Sequence, residues 1–167
     1  MPEKRTLQRA KQDKREGKAP STQAGEFVRE EMDHIRKGKH GARSTKQAIA
    51  IGLSKARRAG VKLPPPKKGV SATTARSAES AYRKGQTGDT HVSPKRSRAM
   101  RKVLEREGHS AASPSALAQQ ARSSARQRGP AARSAAAKKA VRTKGPAERS
   151  AAARKAARTR ARHRAGH

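Results

Sequence analysis

The chain has 167 residues, of which 43 are Lys or Arg and 12 are Asp or Glu, giving a net charge of +31 and a pI near 11.9. One Phe, one Tyr, no Trp and a hydrophobic content of 31% rich in Ala leave little large apolar surface, so composition predicts a small core and long solvated stretches. The absence of cysteine excludes a disulfide framework and a thiolate metal site, and the run AIAIGL at 48–53 is too short to span a bilayer.

Such a charge excess implies a polyanionic partner. DNA comes first and RNA second, because phosphates arrayed along a backbone bind cations largely without regard to sequence. An anionic membrane surface would call for a wide apolar helix face or a lipid anchor, and neither is present in the pattern. The N-terminus is basic without an apolar run, which predicts no secretory signal and a cytoplasmic protein.

In chain order, residues 1–20 mix both charge signs with little but Leu7 to bury and are expected to be a mobile basic arm. From Ser21 a helix is predicted: Ala24, Val28, Met32 and Ile35 share one face, with Phe27 at its margin, and Gly38 and Gly41 end it. Its acids Glu26, Glu30, Glu31 and Asp33 predict an outer face that repels DNA, so residues 24–35 are the expected contact for a protein partner or a second copy of the chain. A second helix is signalled by Ser44 and Gln47 in the form of a capping box. Ile49, Leu53 and Ala56 are its predicted stripe, flanked by Ala48, Ile51 and Gly52. Gly60, Val61 and the prolines at 64–66 mark its stop.

Together these make a short αα-hairpin over about 21–60, which looks too poor in large side chains to stand without a partner. Residues 70–112 are expected to be a linker with a weak helix around Thr74–Lys84. A short helix then opens at Ser93 and Pro94, with Met100, Val103 and Leu104 on one side and Gly108 as its stop. The tail at 113–167 repeats itself: GPAARSAAAKKAVRTK at 129–144 and GPAERSAAARKAARTR at 145–160 agree at 12 of 16 positions, and Pro114, Pro130 and Pro146 are evenly spaced. Charge repulsion and costly nucleation predict a coil there that becomes helical on DNA.

No pattern calls for catalysis or a cofactor. The glycines of GKHGARST at 38–45 lie three apart and follow no strand, unlike a phosphate-binding loop. The cluster Lys39, His40, Arg43, Ser44, Thr45 and Lys46 at the start of the second helix could instead receive a backbone phosphate, or Ser44 could simply cap and leave the cations solvated. His34 and His40 match no standard zinc spacing and read as surface histidines. SPKR at 93–96 is similar to the SPKK-type elements of linker histone tails, but it occurs once, and a capped helix start, which needs only local geometry, is the favoured reading.

The block GEFVREEMDHIRKGKHGARSTKQAIAIGLSKARRAGVKLPPPKKG at 25–69 resembles the core of a bacterial family of small basic proteins with a domain of unknown function, some members of which carry DNA-binding or plasmid-stabilisation labels. The resemblance extends more loosely through EREGHSAASPSALAQQA at 105–121. The repeats at 129–162 are similar in composition to linker-histone and bacterial histone-like tails.

The expectation is therefore a mainly α and largely disordered chain: arm 1–20, hairpin core 21–69, linker 70–112, and basic helix-prone tail 113–167. Its expected function is histone-like, largely sequence-independent DNA binding in a bacterial nucleoid or in plasmid or genome maintenance, without enzymatic activity, cofactor or metal. An RNA- or ribosome-associated factor and a protein-interaction adaptor are the alternatives. The phosphate-binding residues are expected to be Lys39, Arg43, Lys46, Arg57, Arg58, Lys95, Arg96, Arg133, Lys138, Lys139, Arg142, Lys144, Arg149, Arg154, Lys155, Arg158, Arg160, Arg162 and Arg164.

Overall fold

A computed structural model of the chain describes residues 2–66, 69–89, 91 and 93–165, the Lys144 side chain excepted. Largely disordered is corrected to largely helical: 79% of the described residues are in helix. Among the described residues six α-helices follow one another, α1 Lys4–Arg15, α2 Pro20–Arg36, α3 Thr45–Arg58, α4 Ala72–Thr87, α5 Pro94–Glu105 and α6 Pro114–Ala165, with a 3-10 turn at Ser110–Ala112 before the last. Among the described residues there is no strand. Two compact units result, 1–120 and 121–167.

In the first unit α1 packs on α2, α2 on α3 and α3 on α4, while the 3-10 turn sits against both α2 and α3. The expected mobile arm is thus α1. Thr6 and Ala10 are buried there, and Leu7 packs beside Ala24, Phe27, Ala56 and Val61. Small side chains make this possible by bringing the helix backbones close, so one leucine suffices. The hairpin is likewise not alone. Ala111 and Ala112 of the 3-10 turn close a second cluster formed by Met32, Ile35, Ala42 and Ala48, with Leu117 packed against it.

Helix ends follow the local signals closely. Ser44 Oγ accepts from the Gln47 N–H at 3.2 Å, while Gln47 Oε1 reaches back past Ser44 to the Arg43 N–H at 2.8 Å. At the other end of α3, Val61 N donates to Ala56 O and Gly60 N to Arg57 O, the paired bonds of a Schellman motif, with Gly60 at φ +85°. Ser93 caps α5 as its spacing implies, through the Arg96 N–H at 3.4 Å.

The face of α3 that packs is not the expected one. Ala48, Gly52 and Ala56 are buried, and Ile49 and Leu53 lie at the margins. A β-carbon on Gly52 would fall 2.7 Å from Val28 Cα, so α2 and α3 touch backbone to backbone. Gly85 plays the same part in α4, where a β-carbon would overlap the Arg57 carbonyl. Gly41 does not end a helix. It lets the loop at 37–44 lie against the end of α5 and the chain that follows, with Gly41 N donating to Leu104 O and Ala42 N to Gly108 O.

The tail is helical where a coil was expected. Ala and Arg have the highest intrinsic helix propensities, and over segments of this length that preference outweighs the repulsion between solvated cations. Gly129 (φ 70°, ψ 168°) and Gly145 (φ 64°, ψ 172°) interrupt α6 in a region open essentially to glycine alone, and each is followed by proline. The tail thus consists of segments 114–128, 130–144 and 146–165.

Candidate nucleic-acid interface

The cations of the two units differ in how they are held. Residues 1–120 carry 28 Lys and Arg against 11 acids, net +17, and 121–167 carry 15 against one, net +14, the two summing to +31. In the first unit most of the acids are drawn into ion pairs, among them Asp13 and Glu16 with Lys18, Glu26 with Arg9, Asp33 with Arg36 and Asp89 with Lys84. The acids of α2 therefore do not form the free outer face their sequence implies. Glu30 accepts from the Glu3 N–H and is buried, as is Glu31.

At the start of α3 the expected phosphate cluster is largely used up. Thr45 is buried and donates its hydroxyl to Ala111 O at 2.7 Å, Ser44 caps the helix, and Lys39 Nζ lies 3.0 Å from Glu3 Oε1. Arg43 and Lys46 remain exposed. Arg57, expected on phosphate, is 7% exposed and turned inward, its Nε donating to Leu63 O and its Nη2 to Pro64 O, both at 3.2 Å. Burial lowers its pKa. It is a clamp on the proline-rich segment after α3, and the run of three prolines was the signal for it. Arg58, Lys95 and Arg96 are exposed.

The tail cations Arg133, Lys138, Lys139, Arg142, Arg149, Arg154, Lys155, Arg158, Arg160, Arg162 and Arg164 are all exposed, and among the described residues none is held in an ion pair. The Lys144 side chain lies outside the described residues. Arg122, Arg126 and Arg128, absent from the expected phosphate-binding set, are exposed as well. The signal for Arg122 and Arg126 was the i, i+4 spacing that recurs at Lys138 and Arg142 and at Arg154, Arg158 and Arg162. On the last segment Arg154, Lys155, Arg158 and Arg162 line one groove along the helix, whereas Arg160 and Arg164 line another. At 100° per residue these stripes lie on roughly opposite sides of the helix.

A second constellation lies where α2 meets the loop at 37–44. Glu31, with a fully buried side chain, has Lys55 Nζ at 2.5 Å from Oε2 and His40 Nε2 at 3.1 Å from Oε1, yet neither contact has hydrogen-bond alignment. His34, one helical turn after Glu31, places Nε2 at 2.9 Å from Glu3 Oε1 and 3.8 Å from Glu30 Oε1. The two imidazoles stand edge to face at 6.1 Å. They are half-buried, not the surface histidines expected. Glu3 is held down to about 2, first by the hydrogen bond from His34 and then by Lys39.

The described residues thus define a small, strongly basic, all-helical chain with an ordered multi-helix unit and a separate cationic helical tail. Residues 15–68, from the end of α1 through α3, match a family of unknown function (DUF6496). No curated protein and no solved structure matches the chain. No helix among the described residues is long and apolar enough to cross a membrane.

Proposed function

We propose that the chain is a largely sequence-independent DNA-binding protein of the histone-like kind, acting by neutralising backbone phosphates along its helical tail. The observation that carries this reading is the tail's set of exposed cations, with one acid in 47 residues and no ion pairing among the described side chains. Helical segments hold those cations on rigid rods, and a segment of 15 residues is about 22 Å long, the rise of six or seven base pairs. Arg43, Lys46 and Arg58 of the first unit add contacts, while Lys95 and Arg96 extend the basic surface along α5. Opposite stripes on the last segment give it one face for each of two duplexes, which suits condensation in a nucleoid or on a plasmid.

The test is a mobility shift on the full chain over a salt series. With about ten phosphates engaged, log affinity against log salt falls with a slope near −9. Affinity that is flat with salt, or binding that survives deletion of 121–167 unchanged, overturns the reading. Preference for structured RNA over duplex DNA in direct competition transfers it to an RNA-associated role.

A further inference from the structure

The cluster of Glu31, His34 and His40 is unconnected with phosphate binding, and all three side chains are of metal-ligating types. From each residue one ligand atom can be chosen such that all lie within 4.8 Å of one another. Two nitrogens and one carboxylate oxygen around a tetrahedral zinc-class ion at about 2.0–2.2 Å would stand some 3.4 Å apart, a contraction within reach of side-chain rotation and of the loop that carries His40.

Two further observations point to a cation. The first is the carboxylate itself: Glu31 is fully buried and both its oxygens lack an aligned hydrogen-bond donor. Lys55 offsets the charge at Oε2, which leaves Oε1 buried beside His40 without an aligned donor. The second is the way each imidazole is held. His34 Nε2 stands at 2.9 Å from a Glu3 carboxylate oxygen and His40 Nδ1 at 3.0 Å from the Gly41 carbonyl. A carbonyl can only accept, so His40 Nδ1 donates to it, which turns Nε2 toward Glu31 Oε1, at 3.1 Å without hydrogen-bond alignment. Imidazoles with one nitrogen on a carboxylate or a backbone carbonyl and the other free are the outer-shell pattern of metal-ligating histidines.

We infer that Glu31, His34 and His40 bind a divalent transition-metal ion of the zinc class, with water as the fourth ligand, clasping α2 to the loop at 37–44. Imidazole and carboxylate donors suit zinc, nickel and copper(II) and disfavour calcium or magnesium. Monodentate coordination through Oε1 leaves Oε2 with Lys55, so the existing ion pair is kept. Glu3, Glu30 and Glu31 converge on this spot against Lys39 and Lys55, which makes it locally favourable to a cation in a chain of net charge +31. The same net charge suppresses loose metal binding elsewhere.

Cobalt(II), which reports tetrahedral coordination by an intense visible absorption, is titrated into the full-length chain free of tags, with zinc(II) as competitor. One equivalent binds, zinc displaces it, and zinc at 100 times its dissociation constant raises the melting temperature by about 10 °C. His40→Ala and His34→Ala each weaken binding by at least the roughly 10–100-fold cost of losing an outer-shell partner. Circular dichroism confirms that both variants stay helical, and His109→Ala, away from the cluster, leaves affinity unchanged. No saturable cobalt binding overturns the proposal. So does binding that His34→Ala and His40→Ala leave intact, or that His109→Ala abolishes.

Discussion

Replacing Gly25 and Gly52 by alanine adds the same methyl group to two adjacent helices and is expected to move stability in opposite directions. Gly25 lies on an exposed stretch of α2 where an added methyl would meet no atom within 4 Å, so Gly25→Ala gains the ordinary helix preference of alanine, about 0.5–1 kcal/mol. Gly52→Ala receives the same gain, but its methyl lands 2.7 Å from Val28 Cα and 3.0 Å from Val28 N and Cγ2. Restoring ordinary contact pushes α2 and α3 apart by roughly 1 Å, at the 1–3 kcal/mol typical of overpacking. Such a shift also loosens Ala48 and Ala56, which depend on the same close approach. The net cost is about 1–2 kcal/mol, so the two variants differ by about 2–3 kcal/mol, or roughly 10 °C in melting temperature. Urea denaturation followed by circular dichroism at 222 nm measures it. A Gly52→Ala protein as stable as Gly25→Ala would refute the backbone contact between α2 and α3.

Arg57→Ala removes two inward hydrogen bonds from a charged donor and is expected to cost about 2–3 kcal/mol while leaving the salt slope of DNA binding unchanged; denaturation and mobility shift separate the two effects. Replacing Arg154, Lys155, Arg158 and Arg162 by glutamine leaves the helix content intact and makes the salt slope shallower by about 3–4, read from the same shift assay. Lys18 holds Glu16 below its usual range, chiefly by a direct hydrogen bond, and the His91 N–H, followed by Lys84, does the same for Asp89. A depressed carboxylate stabilises the fold above its unfolded value, 4.5 for Glu16 and 3.8 for Asp89, and that contribution disappears as pH falls through the folded values. Lys18→Gln is therefore expected to flatten the acid limb of a stability–pH curve slightly, since the pair is exposed.

What could be read from the residues was what neighbours in sequence decide. Ser44, Ser93 and Gly60 mark helix ends because a cap needs only a few adjacent backbone groups, and all three act as their spacing implies. The packing face of α3 was hidden because Ala48 and Gly52 carry no apolar weight; their value lies in how near they let α2 come, which only the partner helix defines. The same reason hid α1 and the 3-10 turn, whose buried residues are Thr6, Ala10, Ala111 and Ala112. In the tail, repulsion between cations and helix propensity oppose each other, and the pattern of residues does not display which is the larger. Glu31 and His34 were legible as neighbours one turn apart, but the local charge pattern points Glu31 to the outer face. The burial that turns it into a ligand candidate depends on α3, which supplies Lys55, and on the loop that brings His40 back. Arg57 shares its sequence context with the exposed Arg58, and a single helical residue of rotation separates clamp from surface.

The glycine–proline joints of the tail have a consequence for how such a chain changes in length. Each 16-residue block carries its own helix start in proline and its own break in glycine, so duplicating or deleting a block does not shift the register of the next helix and leaves the sequence of 1–120 unchanged. Block 129–144 adds five positive charges and block 145–160 adds five against one acid, so they change the net charge by +5 and +4. Copy number of the block is thus a dial for charge that is independent of the folded part, and gain or loss of a whole repeat is the variation this architecture tolerates best.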